Sequence, residues 1–203
     1  MSEAGLLKAD YSAREFQAAC RKFIDKYGAL QSLIKYEHPR DLHWDDGKYQ
    51  GDAYGAYAWA VYVAEVSIDM QTAEVRVEDF VAVQEVGKVI HPVLAAGQIE
   101  GGVAQGIGFA LYENVVWQEG RMVNGQMTNY IMPTSMDVPR IRVYFEEIPY
   151  HRGPAGAKGI GELPLDGTAP AIANAISYAT GVDIREIPMT PEKLMELLER
   201  VHA

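Results

Sequence analysis

The sequence predicts an α+β fold, a mixed sheet with packed helices, on three observations. Two adjoining segments, 58–68 and 73–86, alternate apolar and polar residues and are rich in Val and Tyr. A third, 93–113, switches to the three- and four-residue spacing of a helix. Nearer the C-terminus, 168–180 and 192–201 carry helix start and stop signals and flank a short β-like run at 183–187.

Each element has its own reasons. Residues 11–27 (YSAREFQAACRKFIDKY) put Phe16, Ala19, Cys20, Phe23 and Ile24 on one helical face; Ser12 with Glu15 caps the start and Gly28 ends it. The polar, turn-rich stretch 38–54 reads as a long surface loop. Segments 58–68 and 73–86, joined by a short polar link, pair most simply as an antiparallel hairpin. The 93–113 helix contains Gly97, Gly101, Gly102, Gly106 and Gly108. Each interior glycine costs roughly 1 kcal/mol against alanine, so something near the backbone needs the room. A hairpin-like stretch at 115–122 turns at Glu119-Gly120, followed by a loop at 128–139 and a strand at 140–148. Residues 153–161, GPAGAKGIG, are too flexible for either regular element. Gly181 stops the 168–180 helix, whose first turn tolerates Pro170, and Thr190 with Pro191 starts the last one.

Composition excludes several functions. Against 28 Asp and Glu stand 18 Lys and Arg, a net charge of -10, the wrong sign for a phosphate backbone. Nucleic acid is therefore not an expected partner. The lone Cys20 closes no intrachain disulfide and holds no iron–sulfur cluster or thiolate zinc site by itself. The first 11 residues mix charges with Leu6 and Leu7 and lack a secretory core, and no apolar run approaches the roughly 20 residues that span a bilayer. A soluble, cytoplasmic protein without membrane contact is expected.

Two glycine-rich segments carry the chemistry. In GQIEGGVAQGIG, Gly97 and Gly101, then Gly102 and Gly106, lie one helical turn apart, leaving nearly bare backbone on one face. Tight packing against another element explains that face as well as a bound cofactor does, with Gln98 offering both donor and acceptor in the second case. In GAKGIGE, Lys158 stands beside Gly159 and Gly161, and Glu162 ends the run ahead of Leu163-Pro164-Leu165. Neither segment matches the dinucleotide or phosphate-loop fingerprint. Glycine on one side of Glu162 and an apolar turn on the other predict partial desolvation, which suits a carboxylate to general-base work; a solvated loop residue is the plainer alternative.

The order Val83-Gln84-Glu85-Val86-Gly87, Pro92, GQIEGGVAQGIGFALYE (97–113), Tyr130 with Pro133-Thr134, Asp137-Val138-Pro139, GAKGIGELPL (156–165) and APAIANAI (169–176) resembles the C-terminal part of the molybdenum-binding subunit of the xanthine dehydrogenase and aldehyde oxidase family. The resemblance runs from about residue 57 onward. By their own patterning, residues 1–55 are expected to form an N-terminal helix and surface loop leading into the domain. The resemblance would make residues 56–203 one C-terminal molybdopterin-binding region, completed by a partner chain or a missing N-terminal part.

It further implies hydroxylation of an aldehyde or xanthine-like N-heterocycle with oxygen taken from water. Glu162 would be the catalytic base. Gln98 and Gly97 with Gly101, and the backbone around Lys158, Gly159 and Gly161, would contact a molybdopterin-type molybdenum cofactor, with or without a cytosine nucleotide tail. Iron–sulfur clusters and FAD would sit on partner chains or domains. The implied partners are the rest of the molybdenum-binding chain, an iron–sulfur subunit, a flavin subunit where the assembly has one, and a small-molecule substrate.

The chain departs from the family pattern at His91-Pro92, where many relatives have Asn-Pro, and at Glu85, where an aspartate is frequent. It is either a separate small subunit or a fragment of a longer one. Other readings are a non-catalytic assembly module and a free-standing nucleotide-binding domain; retention of Gln98 and Glu162 disfavours the first. His38, Asp41, His43, Asp45 and Asp46 crowd one loop, but their spacing fits no zinc or calcium pattern, so no metal ligand is assigned. Met122, Met127, Met132 and Met136 are expected to fill gaps in packing.

Overall fold

The protein is described by a computed structural model over residues 41–202. The helix expected over 11–27, Cys20 and His38 lie outside the described residues. The chain divides between Gly55 and Ala56 into two units.

In the first unit, β1 (Trp44–Asp45) pairs antiparallel with β2 (Gln50–Gly51), where the sequence suggests only a loop. Asp45 makes the turn: its Oδ1 accepts the N–H of Gly47 at 2.9 Å and of Lys48 at 3.2 Å. The Trp44 indole donates to Asp46, and its ring meets Tyr49 edge-on. These carboxylates therefore serve the turn, and no group of His, Cys, Asp and Glu among the described residues could hold a metal ion.

The second unit is built on a three-stranded mixed sheet. β3 (Trp59–Ile68) and β4 (Val75–Glu85) form the expected antiparallel hairpin, and β7 (Arg140–Phe145) lies parallel to β4 on its other side. A bulge shifts the register between Glu65 and Val66. It moves the inward set of β4 from Val75 and Val77 to Phe80, Ala82 and Gln84 without turning the strand over.

Against that inner face lie α1 (Pro92–Leu111) and α3 (Thr168–Thr180), and α4 (Pro191–His202) adds Leu194 and Leu198 to the same core. Phe80, Ile99, Ile107, Ile172, Ile176 and Leu194 are fully buried between them. The short α2 (Leu163–Asp166) connects to α3 and escapes a periodicity reading because four residues show no period. Gly181, in the left-handed region at φ 74°, caps α3 as expected. β5 (Trp117–Gln118) and β6 (Arg121–Met122) turn at Glu119-Gly120, both with positive φ. No helix among the described residues is long and apolar enough to cross a membrane.

Three expectations need correction. Residues 183–187 form no strand, because nearby backbone donors are taken by other partners. Val182 N–H goes to Thr180 Oγ1, Ile184 N–H to Ser177 Oγ and Met189 N–H to the Ala110 carbonyl, while Pro188 has none to give.

The glycine-rich run 153–161 is pinned rather than loose. Lys158 N–H donates to Val86 O, and Lys88 N–H to Gly156 O, each at 2.8 Å. The approach needs glycine at position 87, since a Cβ there would lie 2.4 Å from Gly156 O. The gap-filling methionines are instead exposed, Met127 by 84% and Met136 by 90%. Their loop is held by polar bonds from Asn124, Asn129 and Asp137 and needs no packing from them.

Lys158 also anchors the run through its side chain, which donates to Glu85 at 2.6 Å and to the Tyr57 carbonyl at 2.7 Å; both partners of the ion pair are largely buried. Lys158→Met leaves Glu85 buried without its cation. It should cost about 3 kcal/mol in chemical denaturation, the usual scale for breaking a buried pair.

Candidate functional site

The two glycine-rich segments meet. α1 starts at His91, whose Nδ1 accepts the Leu94 N–H at 3.3 Å, with Pro92 in the first turn. The imidazole thus takes the capping role that a side-chain amide would have there. One turn further on, Gln98 Nε2 donates to the Gly161 carbonyl at 3.1 Å, across 63 residues of sequence. Gln98, Gly161 and Glu162 all lie exposed at this junction. Beside it runs a cleft of about 270 Å³ lined by Val86, His91, Leu94, Gln98, Lys158 and Ile160 among others.

The glycines of α1 divide into two sets. A Cβ at Gly102 would fall 2.2 Å from Pro164 Cγ, and one at Gly106 would fall 2.5 Å from Thr168 Cβ. These two exist for packing: α1 lies directly on the turn that follows Glu162. At Gly97 and Gly101, and at Gly159 and Gly161 in the other segment, a Cβ would meet nothing within 4 Å. Packing among the described residues does not account for those four.

Glu162 itself is exposed, which corrects the expected partial desolvation: of the apolar residues that follow it, Pro164 is buried against α1 and Leu163 and Leu165 are half-buried, and the residue they follow stays open. Its side chain makes no capping bond to α2. The backbone on either side is tightly held. The carbonyl of Gly161 accepts from Gln98, that of Glu162 from Leu165 N–H at 3.0 Å, that of Leu163 from the Tyr62 hydroxyl at 2.6 Å and that of Pro164 from Thr168 Oγ1 at 2.7 Å. Tyr62 in turn accepts from Gln84 Nε2 at 2.8 Å. Burial pushes the Tyr62 phenol above its ordinary range, with the Gln84 bond opposing that and the charge of Asp166 adding to it. It remains a donor at neutral pH.

On the far side of α1, Glu113 accepts from Tyr130 at 2.7 Å, a bond that raises the phenol's pKa. Gly108 leaves room for that carboxylate, since a Cβ would lie 2.0 Å from Glu113 Oε1.

The model of the molybdopterin cofactor-binding domain matches residues 4–139. The chain belongs to this molybdopterin-binding family. Among its relatives, a putative xanthine dehydrogenase molybdenum-binding subunit of Escherichia coli K12 is 35% identical over 141 residues, covering 68% of this chain and 19% of the relative. An aldehyde oxidoreductase molybdenum-binding subunit of the same organism is 36% identical over 151 residues, 73% and 21% of the two chains. In structure, aldehyde oxidoreductase from Desulfovibrio gigas superposes with a TM-score of 0.72 at 31% identity, over 85% of this chain and 20% of that one. This member of the xanthine dehydrogenase and aldehyde oxidoreductase family thus spans about a fifth of the length of the relatives it matches.

Of the residues singled out from sequence, Gln98, Gly97, Gly101, Lys158, Gly159, Gly161 and Glu162 are drawn into one region by the Gln98–Gly161 bond and the pinning of 153–161 on β4. The side chain of Lys158 is engaged with Glu85 and offers the site its main chain only. Sequence reasoning missed Tyr62, Gln84 and Thr168, which hold the turn from behind. The one available signal is Gln84, an amide at an inward position of a Val-rich strand.

Neighbouring glycines separate the two kinds of site. Gly102→Ala should destabilise the domain through its clash with Pro164. Gly101→Ala should leave it unchanged or raise its stability by up to about 1 kcal/mol from helix propensity. Parallel denaturation curves of the two variants check the contrast.

Proposed function

We propose that this chain forms the C-terminal, catalytic portion of a molybdenum hydroxylase that oxidises an aldehyde or an N-heterocycle with water as the oxygen source. The observation that carries the reading is the Gln98–Gly161 bond, which joins two glycine faces that no described residue fills and leaves Glu162 exposed at their junction.

The residues present fit a molybdopterin. The four open glycines let a ligand approach the backbone, and Gln98 keeps an amide oxygen not bonded to any described residue. Gln98 and the main chain of Gly97, Gly101, Lys158, Gly159 and Gly161 would hold the group, with or without a nucleotide tail. The bound molybdenum cofactor supplies oxygen transfer and accepts two electrons. Glu162 acts as general base, taking the proton from the water-derived oxygen as that oxygen attacks the substrate carbon. The turn fixes the backbone from which the carboxylate projects, which reduces the freedom it must lose to act.

The same reading implies partners. Trp59, Val61, Val63, Val83 and Tyr144 expose apolar surface on the outer face of the sheet, and Met127 and Met136 do so on the loop after β6. Contiguous exposed apolar surface of this kind marks contact sites. The rest of the molybdenum-binding chain would cover it, with iron–sulfur and flavin centres carried on other domains or subunits of a cytoplasmic assembly.

Glu162→Gln tests the assignment in the assembled, molybdenum-loaded complex. Metal content and assembly should be retained, and the rate of cofactor reduction by substrate should fall by about 10²–10⁴-fold. Near-normal reduction by a fully loaded variant would remove Glu162 from the mechanism.

A further inference from the structure

Four consecutive carbonyls, from Gly161 to Pro164, each have their own donor, and three of the four donors are local or come from α1 and the start of α3. The fourth is different. The Tyr62 hydroxyl reaches Leu163 O from the inner face of the sheet, 101 residues away in sequence, at 2.6 Å. Its ring also supports the same turn, since a Cβ at Gly167 would fall 2.1 Å from Tyr62 Cε2.

Gln84 completes the arrangement. A phenol has one proton to donate, and Tyr62 gives it to Leu163 O, so the amide beside it must present Nε2 and not Oε1. Gln84 is fully buried, and this orientation leaves its Oε1 without a hydrogen-bond partner among the described residues. An orphaned buried acceptor is unfavourable, and an apolar side chain of the same size would avoid it. Positions where a sequence accepts such a cost tend to be functional ones. In packing terms Gln84 does nothing that methionine could not do. What it adds is the N–H that turns the Tyr62 hydroxyl toward Leu163.

We propose that Tyr62, oriented by Gln84, is a positioning residue for Glu162: it ties the backbone immediately after the carboxylate to the sheet, so that the base projects from a fixed point. This rests on the reading of Glu162 as general base. Gln98 holds the residue before Glu162 and Tyr62 the residue after it, one from the exposed junction and the other from the core.

The test is Tyr62→Phe in the assembled complex, which keeps the ring against Gly167 and Phe80 and removes only the hydroxyl. Hydrogen exchange in a peptide covering residues 161–168 should speed up about five- to tenfold, the scale of one lost hydrogen bond, with molybdenum content unchanged. The limiting rate of reduction by substrate should fall by a similar factor while substrate affinity holds. Gln84→Met should move both readouts in the same direction by less, with no loss of thermal stability, and it serves should Tyr62→Phe fail to fold.

Unchanged exchange in both variants overturns the proposal. So does faster exchange with an unchanged limiting rate when Glu162→Gln is impaired, because the turn's geometry would then not matter to the base. If Glu162→Gln is itself fully active, the general-base reading fails, and the positioning role falls with it even if exchange shows that Tyr62 holds the turn.

Discussion

The contact on which the rest of the site depends is that of α1 with the turn after Glu162. Gly102 admits the Pro164 ring and Gly106 admits Thr168, so the helix backbone and the turn approach without side chains between them. That closeness lets Gln98, one turn earlier on the same helix, reach Gly161. It also places Leu163 over the sheet where Tyr62 can bond it. A helix with alanine at 102 and 106 would be more stable alone by roughly 1 kcal/mol per position. It would stand off from the turn and lose both bonds.

The glycine content of α1 thus has two separate explanations, and the sequence alone does not say which glycines answer to which. Gly102 and Gly106 answer to packing, while Gly97 and Gly101 face open space. Spacing puts Gly97 with Gly101 and Gly102 with Gly106 on two different sides of the helix, roughly 100° or more apart, but which side is covered depends on where the 161–168 segment docks. That segment's position follows from β4, through the backbone bonds at Val86 and Gly156 and the Lys158–Glu85 pair. Sequence reasoning had both glycine segments and no register between them.

Much of the fold is legible locally. The hairpin of β3 and β4, the helices α1, α3 and α4, and the Glu119-Gly120 turn all follow from period and turn chemistry, which act over a few residues. What is missed has tertiary causes. Residues 183–187 have the composition of a strand, yet neighbouring donors go to Thr180, Ser177 and Ala110. The methionines in and just before the 128–139 loop look like gap fillers, yet Asn129 and Asp137 hold that loop and leave Met127 and Met136 exposed. Tyr62 reads as an ordinary inward strand residue, and the inward amide of Gln84 is a signal without an address, since nothing local names a turn a hundred residues away as their partner.

The exposure of Glu162 then defines what this chain contributes to the proposed chemistry. A general base needs correct placement and a surrounding that favours proton transfer, and these are separable requirements. Placement is built here: the carbonyls flanking the carboxylate are bonded to Gln98 and Tyr62, and the turn rests on a helix face cleared to receive it. The surrounding is not, since no described residue covers the carboxylate. On the reading proposed above, desolvation comes from the bound cofactor and from the four-fifths of the subunit that this chain does not span. A division of that kind explains why a proposed base that lies exposed stands on a backbone whose carbonyls from Gly161 to Pro164 are all bonded. Geometry must be supplied by the polypeptide that carries the residue, whereas exclusion of water can be supplied by whatever closes over it.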